Sequence, residues 1–289
     1  MSHPQTPQIR PVHAPIKATV DASSTAHHAG NNSISGYSSR TLAIKLSHGI
    51  GLGREGALLA ERLAWRQKQQ HEQYQQNLEG IVKQALIGSN NNTQAHELDP
   101  DWWHRFQQLA EQIHNPQMQR MWGKILATEM VQPRSFSLKA LETLMQMNHR
   151  DAQTLTDAVA ICGFLEQDPT PLIITGYRTD AAYGGFLRST EQSLALTVYG
   201  LPYSAVLTLK ELGLLHAVEL ETSVLPNSQL SLQYGAERLQ MQCRHPRLHL
   251  RYYRFSHTGQ ELARLVECPP NNDYIAHLKQ LAPKAIVWF

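Results

Sequence analysis

Apolar residues recur along this chain in two rhythms. Between residues 103 and 145 they step by three and four: Trp103, Phe106, Ala110 and Ile113, then Met118, Met121, Trp122, Ile125 and Leu126, then Leu138, Leu141 and Met145. That spacing lines one face of a helix. Polar residues that cap helix starts precede each set: Asp99 before Pro100, Asn115 before Pro116, and Ser137. Asn148 with Asp151 marks a fourth start, before AQTLTDAVAIC. Connections this short predict an antiparallel helical bundle. Upstream, the proline-free run from Arg54 to about Leu86 predicts one long first helix of roughly 30 residues. Its middle, RQKQQHEQYQQN (66–77), holds Tyr74 as its one large apolar residue, which suits a solvated bridge or an amide-rich partner surface.

After about residue 167 the rhythm shortens. DPTPLIITGY reads as a strand and 179–193 mostly as loop. PYSAVLTLKELGLL reads as a helix ending near Gly213. VELETSVL and SQLSLQY read as strands around Pro226-Asn227-Ser228, and RLQMQC and RLHLRYYRF as a hairpin around His245-Pro246. A helix from about Ser256, another at DYIAHLKQL and the apolar AIVWF close the chain. The expected fold class is α+β: a polar, disordered tail over 1–40, a mostly helical bundle over 41–166, and an α+β domain with antiparallel hairpins over 167–289.

Composition narrows the function classes. Basic and acidic residues number 26 and 24, so net charge points to neither nucleic acid nor membrane, and any electrostatic signal must be local. Cys162, Cys243 and Cys268 lie far apart, which disfavours a disulfide framework or a cysteine zinc site and suits a reducing cytoplasm. No window is long and apolar enough to span a membrane, and no secretory leader is read. TLAIKLSHGIGLG, within 41–65, offers a peripheral membrane contact or packs on the protein's own core.

GLGREG (51–56) has the G-x-G-x-x-G spacing of a dinucleotide turn. That turn also needs a strand before it and, about 20 residues on, an acid at the end of a second strand. LAIKL would serve as the first strand. The required second strand falls inside the predicted long helix, so the glycines read as a helix lead-in. His71-Glu72 resembles the start of a zinc H-E-x-x-H, but Gln75 stands where the second ligand is required. No Ser-His-Asp or Cys-His signature is present. No cofactor and no metal is expected, and the function leans away from catalysis.

The strongest local signal is basic. Arg238 and Arg244 flank the apolar Leu239, Met241 and Cys243, and Arg247 and Arg251 alternate with Leu248, Leu250 and Tyr252. With Tyr253 and Arg254 they would make one basic face, with no acid between 238 and 254. That face would grip phosphates while Tyr253 stacks on a base. The alternative is a solvated strand face balanced by acids such as Glu219 and Glu221.

The order L-K-E-L-G-L-L, strands, F-S-H-T-G-Q-E-L resembles a winged-helix domain, with Leu209, Leu212, Gly213, Leu214 and Leu215, then Phe255, Ser256, Gly259 and Leu262, at the matching positions. Its helix carries Lys210 as sole cation, beside Glu211, which is poor material for base readout. The bundle resembles an uncharacterised bacterial family of unknown function. Its core positions are Trp102, Phe106, Met118, Trp122, Ile125, Leu126 and Phe136, and its polar positions are Asp101, Gln119, Lys124, Glu129, Ser135 and Ser137. The chain is more distantly similar to abortive-infection proteins of phage defence. These resemblances imply fold and kinship without catalytic residues. The expected function is a non-enzymatic, cytoplasmic binding or regulatory protein. Its bundle would serve protein contacts or self-association, and its basic hairpin nucleic acid. The alternative is a defence factor acting through protein or membrane contacts.

Overall fold

The computed structural model describes residues 38–289 apart from 55, 89–93, 167, 184–185 and 282–283; at 181–183 and 186–188 only the backbone is described. The residues divide into two compact units, one ending at Arg62 and one running from Leu63 to Phe289. The boundary expected near residue 167 falls inside the second unit. Most of the predicted tail lies outside the described residues.

In the first unit, LAIKL, which a dinucleotide fold would need as its first strand, is helical. α1 spans Ser39–Gly49, and the Ser38 hydroxyl accepts from Thr41 N. The GLGREG glycines follow it, with positive φ at Gly51 and Gly56. No strand precedes them among the described residues. α2 spans Leu59–Gly88, so the position where a dinucleotide fold needs its second strand is helix, as expected.

In the second unit, the bundle follows its caps. α3 (Pro100–Ala110), α4 (Pro116–Val131), α5 (Leu138–Gln146) and α6 (His149–Ala160) start at Asp99, Asn115, Ser137 and Asn148, the last as a full capping box. Trp102 rather than Trp103 takes the core position on α3, four residues before Phe106 and eight before Ala110, and Leu138 faces solvent. Trp102 Nε1 donates to Phe136 O at 2.8 Å, so its polar atom is satisfied inside the core. α4 crosses α2 closely at Gly123, where a Cβ would stand 2.5 Å from Gln84 Cβ and 3.0 Å from Ile81 O. Buried Asn77 on α2 fixes the α3–α4 connection, donating to Glu111 O at 2.8 Å.

The remaining chain builds an antiparallel eight-stranded sheet: β1 (Gly163–Leu165), β2 (Asp168–Tyr183), β3 (Phe186–Ser193), β4 (Leu220–Val224), β5 (Gln229–Tyr234), β6 (Glu237–Cys243), β7 (Leu248–Arg254) and β8 (Ile286–Trp288). The order is β4-β7-β2-β1-β5-β6-β8, with β3 on β2. α7 (Tyr203–Glu211), α8 (His257–Ala263) and α9 (Asn272–Gln280) complete the unit. One continuous apolar core joins Trp122 and Phe106 of the bundle to Ile173, Leu232 and Tyr274.

Three expectations need correction. The segment read as loop, 179–193, is the β2–β3 hairpin, paired from Gly176–Ser193 to Tyr183–Phe186. Its polar and small residues carry no apolar alternation, so the sequence pattern does not mark the pairing. The hairpin expected around His245-Pro246 does not form: β6 pairs with β5 and β8, and β7 pairs with β2 and β4. Nor do β4 and β5 pair across Pro226-Asn227-Ser228. The link after β4 instead runs beside the end of β6: Asn227 N donates to Cys243 O at 2.8 Å, Cys243 N to Ser228 O at 3.1 Å and Cys243 Sγ to Val224 O at 3.8 Å.

Candidate nucleic-acid interface

Alternation is as predicted along β6 and at the start of β7. Leu239, Met241, Cys243, Leu248 and Leu250 are buried, while Tyr252, expected on the same face, is half-buried; Arg238 is exposed and Arg251 and Arg254 are half-buried. The alternative reading, a strand face balanced by Glu219 and Glu221, is what stands around Arg251, together with acids the sequence did not indicate. β7 lies between β2 and β4, and acids reach it from β2 (Asp180), β3 (Glu191), β4 (Glu221) and the residue before β4 (Glu219). Arg251 pairs with Glu191 at 2.8 Å and with Glu219 at 2.5 Å. Arg178 on β2 pairs with Asp180 at 2.8 Å and Glu221 at 2.5 Å. His249 sits between Asp180 and Glu221, at 3.4 and 3.3 Å. Four carboxylates thus face two guanidinium groups and one imidazole. Hydrogen bonding and attraction from Arg178 hold the Glu221 carboxyl below its ordinary range, and Glu219 raises Arg251 further.

Arg254 is paired with Asp168 and Arg238 with Glu166. Tyr253 is half-buried, and its ring carries the Lys210 ammonium 4.4 Å from the centroid. A base would have to displace Lys210 to stack there.

Arg244 and Arg247 differ from the other arginines of β6 and β7. Both are exposed, in the link between the two strands, and neither forms an ion pair among the described residues. Arg244 N donates to Ala285 O at 2.8 Å, which sets exposed Lys284 at the same end of the sheet. His245 lies between the two arginines. Sequence reasoning missed Lys284, since nothing in the order of residues shows that β8 runs beside β6.

The polar positions of the bundle motif hold backbone together. Glu129 is buried and accepts from Arg134 N at 2.5 Å and Phe136 N at 3.0 Å. Ser137 caps α5 and donates through Oγ to buried Glu261 on α8 at 2.7 Å. Gln119 donates to Ile113 O at 2.8 Å, and Ser135 to Gln132 O at 2.6 Å. Lys124 pairs with Glu267, and Asp101 is exposed in the first turn of α3. The groups with most catalytic potential are held apart. His104 is on the exposed side of α3 beside Gln108. His149 lines a cavity of about 330 Å³ among Met118, Met121 and Met147. Glu129 lies under backbone, and Lys124 lines a separate open groove.

A sequence model of the family described as "Protein of unknown function (DUF2806)" matches residues 61–279. The chain belongs to the DUF2806 family. The matched span runs from the start of α2 into α9, so it takes in the bundle motif and all of the sheet except β8. α1 and Lys284 lie outside it. No curated protein and no solved structure matches this chain.

Proposed function

We propose that this DUF2806 member is a non-enzymatic binding or regulatory protein, and that it contacts nucleic acid through Arg244, Arg247 and Lys284 at one end of the sheet. The observation carrying this reading is that these three exposed cations lack a carboxylate partner among the described residues, whereas Arg238, Arg251 and Arg254 have one. Cations already neutralised within the protein release few counterions from a phosphate backbone; unneutralised ones supply most of the affinity. A winged-helix-like arrangement fits the same reading. Its support is the α7–Gly213–α8 junction, where Leu215 bridges Phe255 and Ser256 N donates to Leu214 O at 2.9 Å. The bundle would serve protein contacts, through the exposed amide-rich stretch of α2 from Arg66 to Gln73. Titration with single-stranded and duplex oligonucleotides at two salt concentrations tests the nucleic-acid claim. Binding should weaken steeply with salt, and no binding at low salt removes the claim.

A second reading is a phage-defence factor acting through protein or membrane contacts. The observation favouring it is α1, a helix with apolar side chains and no buried residue.

A further inference from the structure

The first unit presents apolar surface that nothing among the described residues buries. α1 has no buried residue, and Leu42, Leu46, Ile50 and Leu52 are 46%, 63%, 59% and 58% exposed. Leu42, Leu46 and Ile50 recur every four residues and so line one stripe, while Ile44, 49% exposed, lies on the other side of the helix between Arg40 and Lys45. Leu58 and Leu59 continue the exposed apolar run into the start of α2.

Charge shows what fits this surface. Residues 1–62, the first unit, hold six cations, Arg10, Lys17, Arg40, Lys45, Arg54 and Arg62, against three acids, Asp21, Glu55 and Glu61. The rest of the chain has more acids than bases, since the whole chain carries 26 basic and 24 acidic residues. Positive charge and exposed apolar surface therefore coincide in one segment. An exposed apolar stripe on a cationic segment suits the interface of an anionic bilayer, where the stripe enters the acyl boundary and the cations meet headgroup phosphates. α1 has 11 residues. That is short of the roughly 20 a spanning helix needs and of the three to four heptads a coiled-coil seam with a second copy needs.

We infer that α1 and the segment leading into α2 form a peripheral anchor for anionic lipid bilayers. The inference names the contact that the defence reading leaves open, and it stands whether or not the protein acts in defence.

The test is co-sedimentation of the full chain with phosphatidylcholine vesicles, alone and with phosphatidylglycerol, for the wild type and for L42E/L46E. The wild type should pellet with the anionic vesicles, and high salt should release it. L42E/L46E should bind at least about tenfold more weakly while keeping the wild-type urea midpoint and oligonucleotide affinity. Failure of the wild type to pellet, or undiminished pelleting of L42E/L46E, overturns the inference. So does a concentration-dependent dimer that L42E/L46E abolishes without any vesicle binding, which would make a second copy the occupant. A plaque assay reports on the defence reading separately: absence of any phenotype in the wild type would remove the defence reading, while the vesicle result alone decides the anchor.

Discussion

Gly259 on α8 packs against the backbone of Leu214. A Cβ at Gly259 would overlap the Leu214 carbonyl oxygen, the atom that also accepts from Ser256 N at the start of α8. The L-G-L-L and S-x-x-G stretches are therefore two sides of one contact. Gly213 supplies the turn with φ +69, and Ser256 Oγ donates to its carbonyl while capping α8.

Gly259→Ala should cost about 3 kcal/mol or more, because backbone on both sides prevents relaxation. Gly213→Ala meets open space, so it should cost only about 1 kcal/mol, from its positive φ. Urea unfolding of the two variants should separate them in that order; equal costs would mean that α8 is free to shift.

Glu129→Ala should destabilise by about 3 kcal/mol, since two backbone N–H groups in the turn after α4 lose a charged acceptor. Arg134, held at φ +68 in that turn, makes the loss harder to absorb. Glu129→Gln should keep part of the stability, because one amide oxygen still accepts. Urea midpoints give the ranking, and equal effects of the two variants would show that charge alone matters.

The ion pairs on the outer sheet face predict an acid-side loss of stability. The Glu221 carboxyl is held down by Arg178, and Asp168 by the Thr170 backbone N–H and then by Arg254. Groups with folded pKa values below the unfolded ones stabilise fully above the unfolded value, near pH 4. That contribution disappears as pH falls through the lower folded values. The difference in urea midpoint between wild type and Arg178→Met should be constant from neutrality to about pH 5 and shrink below about pH 4. A difference that grows on acidification would contradict the pairing.

Thiol chemistry should be slow in the native state. Burial, with Cys268 nearby, pushes the Cys162 thiol up to about 12, and burial raises Cys243 and Cys268 as well. Ellman's reagent at neutral pH should find no fast thiol in the folded protein and three after unfolding. Half-buried Cys268 should react first.

The helices were legible because their signals are local. Asp99, Asn115, Ser137 and Asn148 each satisfy backbone N–H groups within three residues, and α2 follows from a run of helix formers without proline. Strand positions were legible from alternation, but strand partners were not. A short link such as Arg244–Arg247 can close a hairpin or lead to a strand elsewhere in the sheet, and only the assembled core chooses. The site inherited that gap. The five arginines looked like one basic face because Asp168, Asp180 and Glu191 lie on other strands; Glu219 and Glu221, just before and on β4, were the acids the sequence did suggest, and Lys284 was invisible because it precedes β8, whose pairing with β6 the sequence does not show.

The central claim is that nucleic acid meets the unpaired cations and not the paired ones. Fluorescence anisotropy with one labelled oligonucleotide at low salt compares wild type, R244E/R247E and Arg251→Gln. The account predicts that R244E/R247E weakens binding by at least about tenfold and lowers the salt dependence, while Arg251→Gln changes affinity by less than about twofold. Binding that survives R244E/R247E, or that falls equally with Arg251→Gln, would contradict it.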